Sequence, residues 1–481
     1  MMAARWALTC LLGLCGLAGT TIAGELPADS GYRGIWYFNQ ATRDEYRYKY
    51  SGGMATYPQQ QLPIAIYAPE VEKTFFVYGG TIARRADDEQ GLLHMVSYFN
   101  HRTGMVPRPR VLLNKNTDDA HDNPTLSIDD EGYLWIFSAS HGTSRPSYIH
   151  RSVKPWSIEA FELIQKTNFS YTQPWHVPGQ GFLFLHTRYD GGKAMGISAT
   201  RGLFAMSSRD GRTWSEPGMI AGIEQGDYQI SWRHKNRIAT AFDHHPQKGG
   251  LNARTNIYYL ETPDLGKSWT TIRGDGVPLP ITETPNPALI YDASAAGKLV
   301  YLKDLNFDSE GRPVILFLTS NGFEPGPEKG PREWRTIRWT GSEWIDNVVT
   351  TSGNNYDHGS LYIEPDGTWR IIGPTELGPQ PYNPGGEMVM WTSGDQGKTW
   401  TKVKQLTEHS PMNHTYARRP LLAHPDFYAI WADGHGRQPS ESRLYFTNRT
   451  GDHVWRLPAI MSTEFAKPEI VSERAATNPG R

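Results

Sequence analysis

A short turn recurs along this chain at nearly constant spacing, and that recurrence limits the fold more than any other feature. It reads TPDLGKSW from Thr262 to Trp269 and SGDQGKTW from Ser393 to Trp400. A version one residue shorter is SRDGRTW (Ser208 to Trp214), and TNRTGDHVW (Thr447 to Trp455) is a degenerate copy. An Asp carboxylate can accept backbone N–H groups inside such a turn, Gly supplies a positive φ, and Trp can pack between neighbouring sheets. The tryptophans keep a common period: 55 residues separate Trp214 from Trp269, 56 separate Trp344 from Trp400, and 55 separate Trp400 from Trp455. Only Trp269 to Trp344 is longer, at 75, and it contains the Pro/Gly-rich insertion FEPGPEKGPRE from Phe323 to Glu333.

These turns resemble Asp boxes, the hairpin turns of sialidase-like β-propellers. Dividing the chain by its period gives seven or eight units, within the usual blade count of propellers, and seven is the favoured number. Paired runs of alternating hydrophobicity agree: TFFVYGG with LLHMVSYF, YLWIFSAS with PSYIHRS, GFLFLHTRY with LFAMSS, RIATAFD with NIYYLET, PVILFLT with WRTIRWT, WRIIGPT with MVMWTS, and FYAIWAD with SRLYFTN. No long helical period occurs. The expected fold is therefore an all-β propeller of seven four-stranded blades, with GYRGIWY (Gly31 to Tyr37) predicted to supply a strand that closes the ring with the last blade. The repeated turns are structural and leave the function open.

Composition narrows the class. The 48 Gly, 34 Pro and 12% aromatic residues, with only 38% hydrophobic residues, suit many short strands and tight turns. A formal net charge of −2 gives no support for nucleic-acid binding. Residues 1–23 carry a basic start (Arg5), an apolar run from Trp6 to Ala18 and a small-residue exit, the pattern of a secretory signal. Export to the periplasm or medium is expected, with residues 24–481 as one propeller domain. Both cysteines, Cys10 and Cys15, fall inside that signal, so the mature chain is expected to lack disulfides and thiolate metal sites. No later apolar stretch reaches the roughly 20 residues a membrane span needs.

Polar residues gather at corresponding strand ends. A hairpin returns the chain to the side it left, so His121 before the run Pro124 to Ile128 and His141 after the run Tyr133 to Ser138 are predicted to emerge together. HTRYDGG (His186, Arg188, Tyr189), Arg201, FDHH (Asp243, His244, His245), YDHG (Tyr356, Asp357, His358), NHTYARR (Asn413 to Arg419) and His435 follow in later units. Most histidines in a chain with 16 of them do no chemistry. This collection lacks the carboxylate pair of most glycosidases. It fits instead the removal of the C5 proton of a uronic acid and expulsion of its C4 oxygen, with His and Tyr as base and acid and Arg beside the carboxylate.

The segment HDNPTLSIDDEGYLWIFSASHG…PSYIHRS, the HTRYDGG strand, the histidine pair of AFDHHP and the late YARRP…FYAIWADG…SRLYFTN together resemble the seven-bladed propeller polysaccharide lyases, the ulvan lyases and their rhamnose–glucuronate lyase relatives. The resemblance runs over most of the chain. It implies a secreted enzyme that cleaves a uronate-containing, ulvan-like anionic polysaccharide by β-elimination. It also implies that His121 and His141 are the two catalytic histidines, with Tyr189 as the tyrosine (Tyr171 as substitute) and Arg201 as the carboxylate neutraliser (Arg188 as competitor). Asn123, Arg188 and His245 are assigned to substrate binding. Tandem His244 and His245 face opposite sides of a strand, so at most one of them contacts substrate or a metal. Which of His121 and Tyr189 is the base stays open. No cofactor is required for such chemistry, and a monomer is expected. Some relatives hold a structural metal with cysteines, and this chain has none to spare for that, so a metal of other ligation stays open. The competing readings are a sialidase-like glycoside hydrolase and a non-catalytic carbohydrate-binding propeller.

Overall fold

The computed structural model describes residues 24–54, 60–194, 196–197 and 199–473; the expected signal segment lies outside them. Seven antiparallel sheets follow one another along the chain, each built from consecutive strands. Their innermost strands are Ala65–Ala68, Pro124–Ile128, Ser170–Val177, Gln229–His234, Leu299–Phe307, Ser360–Ile363 and Asn413–Arg418. These open blades 1 to 7 in that order, and neighbouring blades touch along them. Ile66 of blade 1 bridges Leu421 of blade 7, so the last blade meets the first. The alternating pairs legible in the sequence are the second and third strands of each blade. Blades 1 to 6 have four strands, and blade 7 gains a fifth, Glu469–Glu473. Among the described residues helix is confined to Gly191–Ala194 and a few single turns, and none is long and apolar enough to cross a membrane.

Aromatic side chains fill the wedge between blades. Trp175 of blade 3 meets Trp232 of blade 4 with ring centroids 5.1 Å apart, Phe137 of blade 2 meets Phe184 of blade 3 at 4.7 Å, and Tyr362 of blade 6 stacks on Tyr428 of blade 7 at 4.4 Å. Phe76 and Phe427 make the same contact, at 5.8 Å, where blade 1 meets blade 7.

The repeated turns join third to fourth strands. In three of them the Asp carboxylate accepts backbone N–H groups: Ser268 on Asp264 at 3.0 Å, Thr399 on Asp395 at 2.9 Å, Thr213 on Asp210 at 2.9 Å; in the degenerate copy Asn448 accepts instead, from His453 at 3.2 Å. Their glycines Gly211, Gly266 and Gly397 have φ of 70°, 84° and 80°. The period broke after Trp269 for a reason the insertion only partly covers. The fourth strand of blade 4, Leu289–Tyr291, begins only after an excursion with four prolines (Pro278, Pro280, Pro285, Pro287), where the other tryptophans stand at or just before their fourth strands. The Pro/Gly-rich insertion itself leads into the third strand of blade 5, Arg332–Trp339.

Ring closure departs from expectation. The segment from Gly31 to Tyr37 adds no strand to the last blade alone; it wedges between blades 7 and 1, where Gly34 bridges both Ser442 and Gly80. Tyr32 is fully buried there, its hydroxyl 2.6 Å from Ser97 Oγ and 2.7 Å from the carbonyl of Pro107. The chain then forms a hairpin, Trp36–Ala41 with Tyr48–Gly53, that lies against blade 7: Thr415 donates to the Gly53 carbonyl and Trp36 Nε1 to the His435 carbonyl.

The turn at Gly211 makes a direct test of this packing. A Cβ there would stand 2.4 Å from the Trp135 ring in a left-handed backbone, whereas Gly104, also left-handed at φ 66°, has nothing within 4 Å. Gly104→Ala should cost about 1–2 kcal/mol of backbone strain. Gly211→Ala should cost about 1–3 kcal/mol beyond that through overpacking, and calorimetric unfolding of the two variants reads the difference.

Candidate active site

The site forms at one end of the ring, where innermost strands begin and second strands finish. His121 sits in a single 3-10 turn, Ala120–Asp122, immediately before the innermost strand of blade 2. Asp119 caps that turn, accepting the His121 backbone N–H at 3.1 Å and its Nδ1–H at 2.5 Å. His141 follows the adjacent strand Leu134–Ser138; its backbone N–H donates to Asp122 at 2.6 Å and its Nδ1 to the other oxygen of Asp119 at 2.9 Å. The hairpin therefore delivers both imidazoles to one carboxylate, and the rings stack with centroids 4.1 Å apart at 23°. Arg145 grips both acids, reaching Asp119 at 3.0 Å and Asp122 at 2.9 Å, and Lys115 approaches Asp122 at 3.4 Å.

Burial sets the charge states. It pushes the His121 imidazole below its usual range, with the Asp119 carboxylate working against that shift. Burial alone would raise Asp119; the hydrogen bonds from both histidines outweigh it and hold the carboxyl far below the ordinary carboxylate range. With Nδ1–H given to Asp119, the basic nitrogen of His121 is Nε2, which meets the Tyr50 hydroxyl at 2.7 Å. Tyr37 stands edge-on to the same ring, its hydroxyl 3.2 Å from Nδ1.

Blade 3 adds the next groups. Tyr189, just past Gly181–Arg188, lies edge-on to His141 at 5.4 Å and shares a 3.2 Å hydroxyl contact with Tyr171. Burial, then the neighbouring Tyr228, raises its phenol, while Arg201 pulls the other way. The Arg201 guanidinium is 5.5 Å from the Tyr189 ring and 5.9 Å from the Tyr228 ring. Beyond it, Arg254 is fully buried among Tyr228, Tyr301 and Tyr356. Lys49, held by Asn252, is brought down to about 7 by burial and by the charges of Arg254 and Arg201. An open groove of about 1100 Å³ borders the histidine pair, lined among others by Trp36, Tyr37, Asp118, Asp119 and Arg145.

Of the residues singled out in the sequence, His121, His141, Tyr189, Arg201 and the substitute Tyr171 come together. His245 is buried edge-on to Tyr228 at 4.7 Å, next to that group, whereas His244 turns the other way toward Glu224, 3.6 Å distant. Arg188 points away from Tyr189: it pairs with Asp190 at 3.3 Å and lies over Phe204. Asn123 is buried behind His121, its amide donating to the Met54 carbonyl at 3.4 Å. His186 is a core residue between Phe184 and Phe204. Sequence reasoning missed Tyr37, Tyr50 and Lys49, which arrive on the distant hairpin, and Asp119, Arg145 and Arg254. Asp119 alone left a local signal, an acid at a capping position two residues before a histidine.

Asp119, His121 and His141 have the spacing of metal ligands. Both oxygens of Asp119 already engage the two Nδ1 atoms, and Arg145 supplies the positive charge beside them. A cation would have to displace that guanidinium, so the group reads better as a carboxylate that orients two imidazoles. A neutral imidazole, protonated phenols and a guanidinium on one wall can accept a proton, donate one and hold an anion.

A family model described as a BNR repeat-containing family member matches residues 94–374. The chain is 24% identical over 357 residues to an ulvan lyase of Alteromonas sp. (strain LOR), covering 66% of this chain and 69% of that one. It is 23% identical over 383 residues to an ulvan lyase of Nonlabens ulvanivorans, covering 70% and 78%. Among solved structures, a PL25 ulvan lyase bound to -[GlcA(1-4)Rha3S]- aligns with TM-score 0.66 and 17% identity over 88% of this chain and 95% of that one, a likeness of fold.

The electrostatics of the histidine pair can be titrated. Because the folded-state pKa of His121 is depressed, the unfolded chain takes up this proton first as pH falls. The stability that the neutral imidazole contributes is complete above the unfolded value of about 6.5 and is lost as pH drops below it. Asp119→Asn removes the group that favours the charged imidazole, so the His121 midpoint, followed by NMR of the ring protons, should move further down.

Proposed function

The chain belongs to the BNR repeat-containing family, and from that membership and its ulvan lyase relatives we propose that it is a polysaccharide lyase that cleaves a uronate-containing, ulvan-like polysaccharide by β-elimination. The observation that carries this reading is the convergence of the stacked His121–His141 pair with Tyr189 and Arg201 on one wall.

The chemistry follows from the charge states. Arg201 binds the uronate carboxylate, and its fixed charge stabilises the negative charge that moves onto that group as the C5–H bond breaks. His121, kept neutral by burial and aligned by Asp119, takes the C5 proton on Nε2 once the sugar displaces the Tyr50 hydroxyl. His141, on the other oxygen of Asp119, lies beside the carboxylate. The C5 electron pair forms the C4=C5 double bond, the C4–O4 bond breaks, and the leaving oxygen takes the proton of Tyr189, whose raised pKa keeps it protonated. Asp119 acts as a positioning residue: it fixes the His121 tautomer and favours the imidazolium that forms, as the carboxylate of a catalytic triad does. Arg254 adds a second fixed positive charge near Arg201, which suits a polymer with more than one acidic group. The same proposal takes the enzyme to act as a monomer. An exported protein, with residues 1–23 removed, would meet this substrate outside the cell.

Incubation with ulvan should generate the ultraviolet absorbance of an unsaturated uronate together with new reducing ends. His121→Ala and Tyr189→Phe should each lower kcat about 100-fold or more, and Arg201→Ala should lower kcat and raise KM. Reducing ends without the absorbance would mean a hydrolase, and polymer binding without product would mean a carbohydrate-binding propeller; either result, or full activity in His121→Ala, refutes the lyase reading.

A further inference from the structure

Blades 1 and 7 carry a second group of metal-ligating side chains, at the opposite end of the ring from the histidine pair. His101 follows the third strand of blade 1, Leu92–Asn100, and His424 and Asp426 lie in the loop between Asn413–Arg418 and Ala429–Gly434 of blade 7. Both loops leave the strand ends opposite those that hold His121 and His141. The two imidazoles approach to 3.8 Å between centroids, at 44°. One ligand atom from each of His101, His424 and Asp426 lies within 4.8 Å of the other two.

The hydrogen bonds around His101 leave one ring nitrogen open. Thr74 Oγ1 engages Nε2 of His101 at 2.8 Å, and Nδ1 of the same ring is buried with no hydrogen-bond partner among the described residues. On His424 the backbone N–H of Asp426 donates to Nδ1 at 3.1 Å, a bond that a cation on that nitrogen would replace, and the Asp426 carboxylate is 3.8 Å from it. Tyr67 packs against both rings, at 5.2 Å from His101 and 4.8 Å from His424, which fixes their orientation. A buried ring nitrogen without a partner is costly, and the His101 ring, engaged at Nε2 and open at Nδ1, has the arrangement that second-layer groups give to a metal ligand.

We propose that His101, His424 and Asp426 bind one divalent transition cation of the zinc class, which bridges the first and last blades across the closing seam. Two imidazoles and a carboxylate match the ligand preferences of Zn2+, Ni2+ or Cu2+, while Mg2+ and Ca2+ require a shell of oxygens that this group lacks. Water completes the coordination at the exposed side of Asp426. The ligands come from residues 101 and 424, so they converge only when the ring has closed, and a cation bound there favours the closed ring over the unfolded chain. The site is independent of the lyase reading and stands or falls without it.

The test uses the full chain, stripped with EDTA and dialysed, then titrated with Zn2+ by calorimetry, with Co2+ absorption as a second readout and the thermal midpoint as a third. Stoichiometric Zn2+ binding and a midpoint that rises with Zn2+ but not with Mg2+ are expected. His424→Gln and Asp426→Asn should weaken binding by about tenfold or more and flatten the Zn2+-dependent rise, while Asp119→Asn leaves both unchanged. The proposal is overturned if Zn2+ does not bind, if it binds equally to His424→Gln, or if Asp119→Asn is the variant that abolishes it. Asp426→Asn changes only an exposed side chain, so it keeps the test decisive should His424→Gln fail to fold. Equal destabilisation of the variants with and without Zn2+ would show rings that merely pack, and would also overturn it.

Discussion

Every blade of this protein buries its faces only against its two neighbours, so the ring has to close before any blade is fully covered. A single four-stranded sheet has two apolar faces and no core of its own. The aromatic contacts between blades supply most of the attraction: Trp175 with Trp232, Phe137 with Phe184 and Tyr362 with Tyr428 each bridge a boundary. Burying an aromatic side chain of this size is worth several kcal/mol, as its removal typically costs about 3–5 kcal/mol. The boundary between blades 7 and 1 is the one that chain order does not supply. Phe76 against Phe427, the buried Tyr32 and the double bridge of Gly34 all work there.

Closure also explains where polar groups are tolerated. Innermost strands converge on the axis, where side chains are withdrawn from water yet too crowded by backbone for a purely apolar filling. Gln173 accordingly donates to the carbonyls of Gln60 and Gln229, and Thr125 bonds Thr172 across two blades. At the end of the axis that carries the histidines, the same burial becomes chemically useful. It lowers His121 and Lys49 and raises Tyr50 and Tyr189. Buried charges are tolerable only when paired, and Asp119 meets that condition with two imidazoles and a guanidinium.

The fold was legible because its signal is local and repeated. Second and third strands alternate visibly, and the Asp–Gly–Trp turns mark the passage to an outer strand in blades 3, 4 and 6, with a degenerate copy in blade 7. The innermost strands were harder: AIYA and SLYI have four residues each, too few for a period, and they are buried on both faces. The histidine pair was legible for the same local reason, since one hairpin carries both members. Tyr50, Tyr37 and Lys49 were invisible because nothing near them in sequence indicates that their hairpin crosses the ring to reach His121, a contact that depends on tertiary geometry alone. Arg188 and Tyr189 illustrate the remaining limit. They are adjacent at a strand end, and only the observed strand register decides that Tyr189 faces His141 while Arg188 faces Asp190.

The N-terminal hairpin ties these threads together. Its backbone presses so closely on blade 7 that a Cβ on Gly53 would stand 1.9 Å from the Asp433 carbonyl, and the segment before it is the wedge that seals blade 7 to blade 1. From that anchored position it extends Tyr37 and Tyr50 to His121 and Lys49 toward Arg201 and Arg254. The groups that complete the site are thus carried by the element that completes the ring. An open ring would lose not only apolar burial but also the hydroxyl at His121 Nε2 and the amine of Lys49 beside Arg201 and Arg254, so structural closure and the assembly of the histidine–tyrosine site are one event.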